Sequence, residues 1–448
     1  MTQHLVLGLG VTGVAVLRGL VGRGEGALAV DDRPTSDGRT IAAELGVELV
    51  EAPDRAALQA LVHRSDAVLP SPGVPDHHPI FGLAAAAGVP VLSEFDLAAR
   101  WDDRPIVAIT GTDGKTTVTE LTRSMLEASG RAAVAVGNTE VPLVAAIDDP
   151  STEVFVVEAS SFRLLHSERF APAVGTWLNV APDHLDSHAT FDAYVAAKAR
   201  IWVDQSPQQV AIGNADDRVV ASHLAEAPAR HVTFGLHATA DNHLDGDRLV
   251  LADGSELVAR QELARAFPHD LANSLAAAAS ALAGGATVEG ARRALLAFRG
   301  LPHRLTLVGE AGGVEWYDDS KATTPHATVA AVRSFGSVVL IAGGRNKGLD
   351  LTALTAAVDH VRAVVAIGEA AADVAAAFDG RVPLRPATTM GAAVAEAAAL
   401  AQPGDVVLLS PACASFDWYR SYAERGDDFT REVEALLGAG APAHQGPR

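Results

Sequence analysis

The stretch Ile106–Leu121, IVAITGTDGKTTVTEL, decides the fold. Five strand-forming residues, Ile106 to Thr110, run into a glycine-rich turn, and Lys-Thr-Thr then opens a helix expected from about Thr116 to Ala128. A glycine turn between a buried strand and a helix N-terminus can cradle phosphate: its amides turn inward, the helix end favours an anion, a lysine reaches the β/γ-phosphates and a hydroxyl meets magnesium. Gly111, Thr112, Asp113, Gly114, Lys115, Thr116 and Thr117 are therefore the expected ATP-binding residues. The first glycine stands three residues before Gly114 instead of five, so the loop is shorter than the usual Walker A pattern. A turn made only for packing would not need Lys-Thr-Thr.

Upstream, residues 4 to about 97 alternate short apolar runs (HLVLGLG, ALAVDD, AVLPSPG, VPVLSE) with helix-like TIAAEL and IFGLAAAAG, the rhythm of a small parallel sheet. Downstream, EVFVVEAS, VGTWLNV and QVAIGN read as strands, residues 230–260 as a polar hairpin-like section, and about 270–298 as alanine-rich helix. After the linker RGLPHRLT, the runs GVEWYDDS, VVLIAGG, AVVAIG and DVVLLSP give a further set of strands separated by helices. The expected fold class is α/β in three domains: a Rossmann-like N-terminal domain at 1–98, a central P-loop ATPase-like domain with a mainly parallel sheet at 99–301, and a Rossmann-like C-terminal domain at 302–448.

The 448 residues suit three domains, and 48% apolar content provides a core. A formal charge of −20 argues against nucleic acid or an anionic membrane as partner, so any anionic substrate must be gripped by locally placed Arg, Lys and helix N-termini. The lone Cys413 excludes an intrachain disulfide and fits a reducing cytoplasm. No window approaches the ~18 uninterrupted apolar residues that span a bilayer. The expectation is a soluble, cytoplasmic monomer.

GLGVTG, Gly8 to Gly13, with Asp31 and Asp32 ending the next strand, has the spacing of a dinucleotide fingerprint. By itself it suggests a nicotinamide enzyme, although any diphosphate suits such a helix N-terminus. Glu158 ends the strand of VVEASSF, His184 lies in the polar loop NVAPDHLDSH, and Lys198 sits in the helix FDAYVAAKARIW. Taken singly, a loop histidine is more often a surface or capping residue and a helical lysine is usually solvated.

Their order along the chain changes that reading. GTxGKTT, Glu-x-Ser-Ser-Phe, Asn-x4-His-Leu-Asp, a helical lysine, LPHR, DDSKAT, GGRNKG and SPACASFD resemble the Mur ligases of peptidoglycan synthesis over nearly the whole chain. DSKAT followed by SPACASFD is highly specific. The resemblance implies an ATP-dependent amide ligase joining D-glutamate, or alternatively L-glutamate or another amino acid, to UDP-N-acetylmuramoyl-L-alanine through an acyl phosphate, with two magnesium ions. It gives catalytic roles to Lys115, Glu158, His184, Lys198 and Lys321, and metal contacts to Thr116, Glu158, His184 and a carbamate formed on Lys198. Asn273, Arg304 and Asp319 would meet adenine and ribose. GLGVTG is thereby reassigned to the UDP-sugar, with Val11, Thr12, Asp31, Asp32, Arg33, Ser71, Gly73, Asn138 and His184 as acceptor contacts. Lys321, Thr323, Lys347, Ser415 and Tyr422 would bind the incoming glutamate, two lysines suiting a dicarboxylate. Closure of the third domain, hinged near 98–104 and 299–304, would keep water from the acyl phosphate.

The chain departs from the family pattern at Asp270, where Asn is usual, at Thr139 and Glu140, at Thr324, where Asn commonly follows Lys-Ala-Thr, and at Tyr422, where Phe is frequent. These departures leave D- against L-glutamate open. Folylpolyglutamate synthases share the P-loop and carbamylated-lysine plan but would not need the N-terminal GLGVTG…DDR…SPG domain. A nicotinamide-dependent dehydrogenase leaves Lys115, Glu158, Lys198 and DSKAT without purpose, and a nucleotide-gated scaffold would bind ATP yet release no phosphate.

Overall fold

The structure, a computed structural model, describes residues 3–139, 141–183, 188 and 190–440. The chain divides into two compact units, Met1–Val180 with Ser187–Phe298 and Ala181–Asp186 with Arg299–Arg448. None of the described helices is long and apolar enough to cross a membrane.

The first unit holds a parallel four-stranded sheet in the order Glu48–Glu51, Gly26–Asp31, Gln3–Leu7, Ala67–Pro70. Its second sheet is parallel and six-stranded, in the order Arg230–Phe234, Val210–Asn214, Val174–Trp177, Ile106–Thr110, Val154–Glu158, Ala133–Gly137. The strands IVAIT, VFVVE and VGTW are buried at every position, as expected when helices cover both faces. One face packs on the helices Lys115–Ala128, Pro268–Ala283 and Val288–Ala297. Ala276, Ala277 and Ala278 are fully buried there, and their small side chains let the helix lie close to the sheet. The other face carries Phe95, Phe155, Phe170, Trp177 and Trp202. The polar section near 230–260 forms the edge strand Arg230–Phe234 and a small antiparallel sheet, His243–Asp245, Arg248–Val250 and Glu256–Ala259.

One strand expectation needs correction. VPVLSE contributes only an isolated Val68–Val91 bridge, because Ser93 and Asp96 form a capping box that starts the helix Glu94–Trp101 directly. The fourth strand of the N-terminal sheet is Glu48–Glu51 instead, whose polar ends hide its strand character.

The second unit is a six-stranded sheet in the order Thr306–Ala311, Val314–Asp318, Val406–Ala412, Val338–Gly343, Val361–Ile367, Leu384–Ala387. Only the first pairing is antiparallel. The edge strand Leu384–Ala387 includes Pro386, and the edge strand Glu48–Glu51 of the first unit has an exposed glutamate at each end.

Leu275, fully buried on the helix Pro268–Ala283, lies in the core beneath the phosphate loop. Leu275→Ala is expected to destabilise the first unit by about 3 kcal/mol and move its urea transition to lower concentration. Leu244→Ala, partly buried on the same cluster, is expected to shift that transition less.

Candidate active site

The turn GLGVTG carries the chain from the strand Gln3–Leu7 into the helix Val11–Gly22. A Cβ at Gly13 would stand 1.9 Å from the Gly8 carbonyl oxygen, so only glycine allows this helix to start so near its strand. Asp31 fixes the next loop by accepting from the amides of Leu9 (2.6 Å) and Arg33 (2.8 Å). Ser71 donates its hydroxyl to the Gly8 carbonyl at 2.6 Å and so ties the third loop to the first. Together these loops wall a cleft of about 720 Å³ lined by Val11, Thr12, Asp31, Asp32, Arg33, Ser71 and Gly73. The seven residues expected from the N-terminal motifs thus share one surface. His78 and Arg163 line it as well, and neither was flagged by a sequence motif.

The second cluster lies at the carboxyl ends of the central strands, where α/β sites form. Gly114, with φ +84°, starts the helix Lys115–Ala128, and a Cβ on it would meet the Asn273 amide oxygen at 2.6 Å. Asn273, expected at adenine, therefore packs against the phosphate loop. The loop's shape comes from Asn179: its side-chain oxygen accepts from the Thr112 amide (3.0 Å) and the Asp113 amide (2.9 Å), and its amide donates to the Asp113 carbonyl at 3.1 Å. Asn179 stood in the Asn-x4-His-Leu-Asp motif without an assigned role. Sequence alone gave no sign that it shapes the cradle.

Two ammonium groups converge here. Lys115 Nζ donates to the carbonyls of Gly111 and Thr112, both at 2.8 Å, and Lys198 Nζ donates to the same Gly111 carbonyl at 2.8 Å. Lys198 is buried on the helix Phe191–Val203, and Tyr194, one turn earlier on the same face, lies under the Lys198 ammonium at 4.5 Å. The Tyr194 hydroxyl contacts the Thr112 hydroxyl at 3.2 Å. Glu158 pairs in register with Ile109 on the adjoining strand. One of its carboxylate oxygens accepts from the Asn138 amide at 3.0 Å, while the other is buried with no partner. Asn138 thus meets Glu158 and is absent from the cleft lining. A buried carboxylate oxygen without a donor, on the strand beside the one that leads to Thr116, is a donor set suited to a hard cation such as magnesium. Among the described residues no group of three or more His, Cys, Asp or Glu gathers around one point. His184 and Glu140 lie outside the described residues.

In the second unit, the LPHR turn and the end of the strand Val406–Ala412 carry positive φ at His303 (59°), Leu305 (44°) and Ala412 (60°), a clustering typical of functional loops. His303 is 2.6 Å from the Asp318 carboxylate. Asp319 accepts from the Leu305 amide (3.3 Å) and the Ser410 hydroxyl (2.8 Å), and burial pushes its carboxyl up to about 7 despite the nearby Arg304 charge. Lys321 stands over the Tyr422 ring at 5.0 Å, a contact that any aromatic ring at 422 would supply. Lys347 is 3.8 Å from Asp183, and Ser415 is buried, its carbonyl accepting from the Trp418 and Tyr419 amides. Thr323 is half-buried beside them in sequence. Arg425, one per cent exposed, donates to the Ser320 hydroxyl (2.9 Å), the Ser320 carbonyl (2.7 Å) and the Cys413 carbonyl (3.1 Å), joining DSKAT to SPACASFD. Burial lowers it to about 10 and raises the Cys413 thiol to about 12.

The departures also find partners. Thr324 is buried and caps the helix Pro325–Val332, its hydroxyl accepting from the Ala327 amide at 3.2 Å, so here it serves as a cap in place of Asn. Asp270 forms an ion pair with Arg265 at 3.2 Å, and Thr139 turns back onto Val141.

Family models match most of the chain: the MurD-like N-terminal domain of Mur ligases at residues 2–93, the Mur ligase middle domain at 109–281, and the glutamate ligase domain of Mur ligases at 303–413. Curated relatives include UDP-N-acetylmuramoylalanine--D-glutamate ligases of Frankia casuarinae, 44% identical over 97% of this chain and 94% of the relative, and of Desulfosudis oleivorans, 42% identical over 96% of each. Among solved structures, a pseudomurein peptide ligase type C from Methanothermus fervidus superposes with a TM-score of 0.61 at 17% identity, covering 97% of this chain and all of that one. The MurF ligase of Thermotoga maritima in complex with ADP also scores 0.61, at 18% identity over 94% and 91% of the two chains.

Asp319 gives a pH signature. Its folded carboxyl lies above the ordinary value of 3.8, so the contribution it makes to stability is complete below about pH 4 and is lost as pH rises to about 7. Asp319→Asn is expected to stabilise the second unit at pH 8 relative to the parent and to change it little at pH 4, read from thermal melts at both pH values.

Proposed function

The chain belongs to the Mur ligase family, and from that membership we propose that it joins D-glutamate to UDP-N-acetylmuramoyl-L-alanine at the expense of ATP, in peptidoglycan precursor synthesis. The observation that carries the reading is the cluster of half-buried Lys115 with buried Lys198 and Glu158 around the phosphate loop, in a unit that also contains a separate nucleotide-sized cleft.

A carboxylate is a poor electrophile because its oxygen is a poor leaving group. Transfer of the γ-phosphoryl of ATP to the L-alanyl carboxylate makes phosphate the leaving group, and ADP departs. Lys115 turns from the Gly111 and Thr112 carbonyls to the β/γ-phosphates, while Asn179 holds the backbone of the loop in shape around them. Thr116, Glu158 and Lys198 as its carbamate, together with His184, are the residues proposed to hold two magnesium ions, which would neutralise charge as the phosphoryl group moves. Asn138 orients Glu158. Asn273, Arg304 and Asp319 are assigned to adenine and ribose. In the second unit Lys321, Lys347, Thr323, Ser415 and Tyr422 are assigned to glutamate, whose free amine attacks the acyl phosphate, forms the amide and expels phosphate. Holding three substrates in register supplies much of the acceleration.

By this reading residues 1–98 bind the acceptor, 99–301 the nucleotide and 302–448 the amino acid, in a cytoplasmic monomer. The preference for D-glutamate follows the curated relatives. Phosphate release with ATP, magnesium and UDP-N-acetylmuramoyl-L-alanine is expected with D-glutamate and not with L-glutamate or without an amino acid, giving a product one glutamyl residue heavier. Lys115→Ala is expected to lower the rate by about 100-fold or more. Absence of release with either enantiomer would overturn the reading.

A further inference from the structure

The cleft that holds the N-terminal motif residues has one wall that the motifs did not announce. Arg163 comes from the helix Ser161–Leu165, lines the cleft and is only 7% exposed. One terminal nitrogen donates to the Glu94 carboxylate, the other to the Thr12 hydroxyl at 3.1 Å, and its Nε is buried without a partner. Glu94 is itself buried, and its second oxygen accepts from the Val144 amide at 3.0 Å. Burial pushes Glu94 up and Arg163 down, and each depends on the other to stay charged. Glu158 is the other acid whose charge bears on Arg163.

Thr12 belongs to the first turn of the helix Val11–Gly22, whose N-cap Gly10 offers no side-chain cap and whose intrahelical bonding begins with the Val14 amide on the Gly10 carbonyl. The amides of Val11, Thr12 and Gly13, in the first turn, therefore have no intrahelical acceptor, and Val11 and Thr12 line the cleft. An anion seated on that helix end lies one side chain from a buried guanidinium. In a chain with a net charge of −20, and in a cleft that presents Asp31 and Asp32 beside Arg33, a second, buried cation favours a doubly charged group.

We propose that Arg163 is a specificity-determining residue of the acceptor site that reads the diphosphate of the UDP-sugar, with Glu94 as the positioning residue that keeps it aimed at the helix N-terminus. The inference rests on the acceptor assigned above. It differs from that assignment in naming a residue that discriminates by phosphate charge.

Calorimetric titration of the full chain with UDP, UMP and uridine, in the parent and in Arg163→Gln and Arg163→Lys, tests it. The parent is expected to prefer UDP over uridine. Arg163→Gln is expected to weaken UDP by about tenfold or more while leaving uridine unchanged, and Arg163→Lys to recover part of the loss. Glu94→Gln, which leaves the guanidinium in place but unpaired, should weaken UDP by less than Arg163→Gln does. Equal losses for UDP and uridine, or no loss for either, would overturn the inference. UDP bound by the parent and held equally well by Arg163→Gln would sink this inference alone, whereas a parent that binds none of the three sinks the acceptor assignment with it. Thermal melts of each variant identify loss of fold.

Discussion

Two positive charges drawn to one carbonyl organise the nucleotide half of this molecule. Lys115 and Lys198 come from different helices, yet both donate to Gly111, and carbonyl dipoles, with the Tyr194 ring at Lys198, offset the repulsion between them. That arrangement requires a loop of fixed shape. Asn179 supplies it by bonding to three backbone groups of Thr112 and Asp113, and Tyr194 supports it from the helix that carries Lys198. Glu158 then stands on the next strand with a carboxylate oxygen unsatisfied. The cluster is a set of charges awaiting more charge: anionic phosphate for Lys115 and a cation for the Glu158 carboxylate.

Much of this was legible from residue order. The strand Ile106–Thr110, the glycine turn and its helix were read directly, because a phosphate cradle needs particular residues at fixed spacing. The N-terminal cleft was readable for the same reason: the seven residues of the N-terminal motifs line it, whereas Asn138, expected there as well, meets Glu158. Strands with polar ends were harder. Glu48–Glu51 shows no apolar run, while VPVLSE has the composition of a strand but is overtaken by a strong helix cap.

The residues that reading missed act on other residues instead of on a ligand motif. Asn179 shapes backbone, Arg425 joins two loops more than ninety positions apart, and the partner of Arg163 lies 69 positions away at Glu94. Such pairings depend on tertiary proximity, which one sequence does not display. The departures from the family pattern follow the same rule. Thr324 works as a cap, Tyr422 presents its ring to a lysine, and Asp270 takes an arginine partner of its own. Each of these three changes is matched by a contact that absorbs it.

The borders of the sheets have a consequence for the life of the chain in a crowded cell. A parallel sheet with an open side offers unpaired amides and carbonyls to any passing strand, and partly folded copies made side by side on ribosomes are its nearest neighbours. Pro386 removes one amide from an outer strand, and the glutamates at 48 and 51, ion-paired with Arg64 and Arg39, set charged groups along another. These three side chains are far from the phosphate loop in sequence. Their effect is to disfavour pairing between the outer strands of neighbouring copies and so to keep newly made chains apart while they fold.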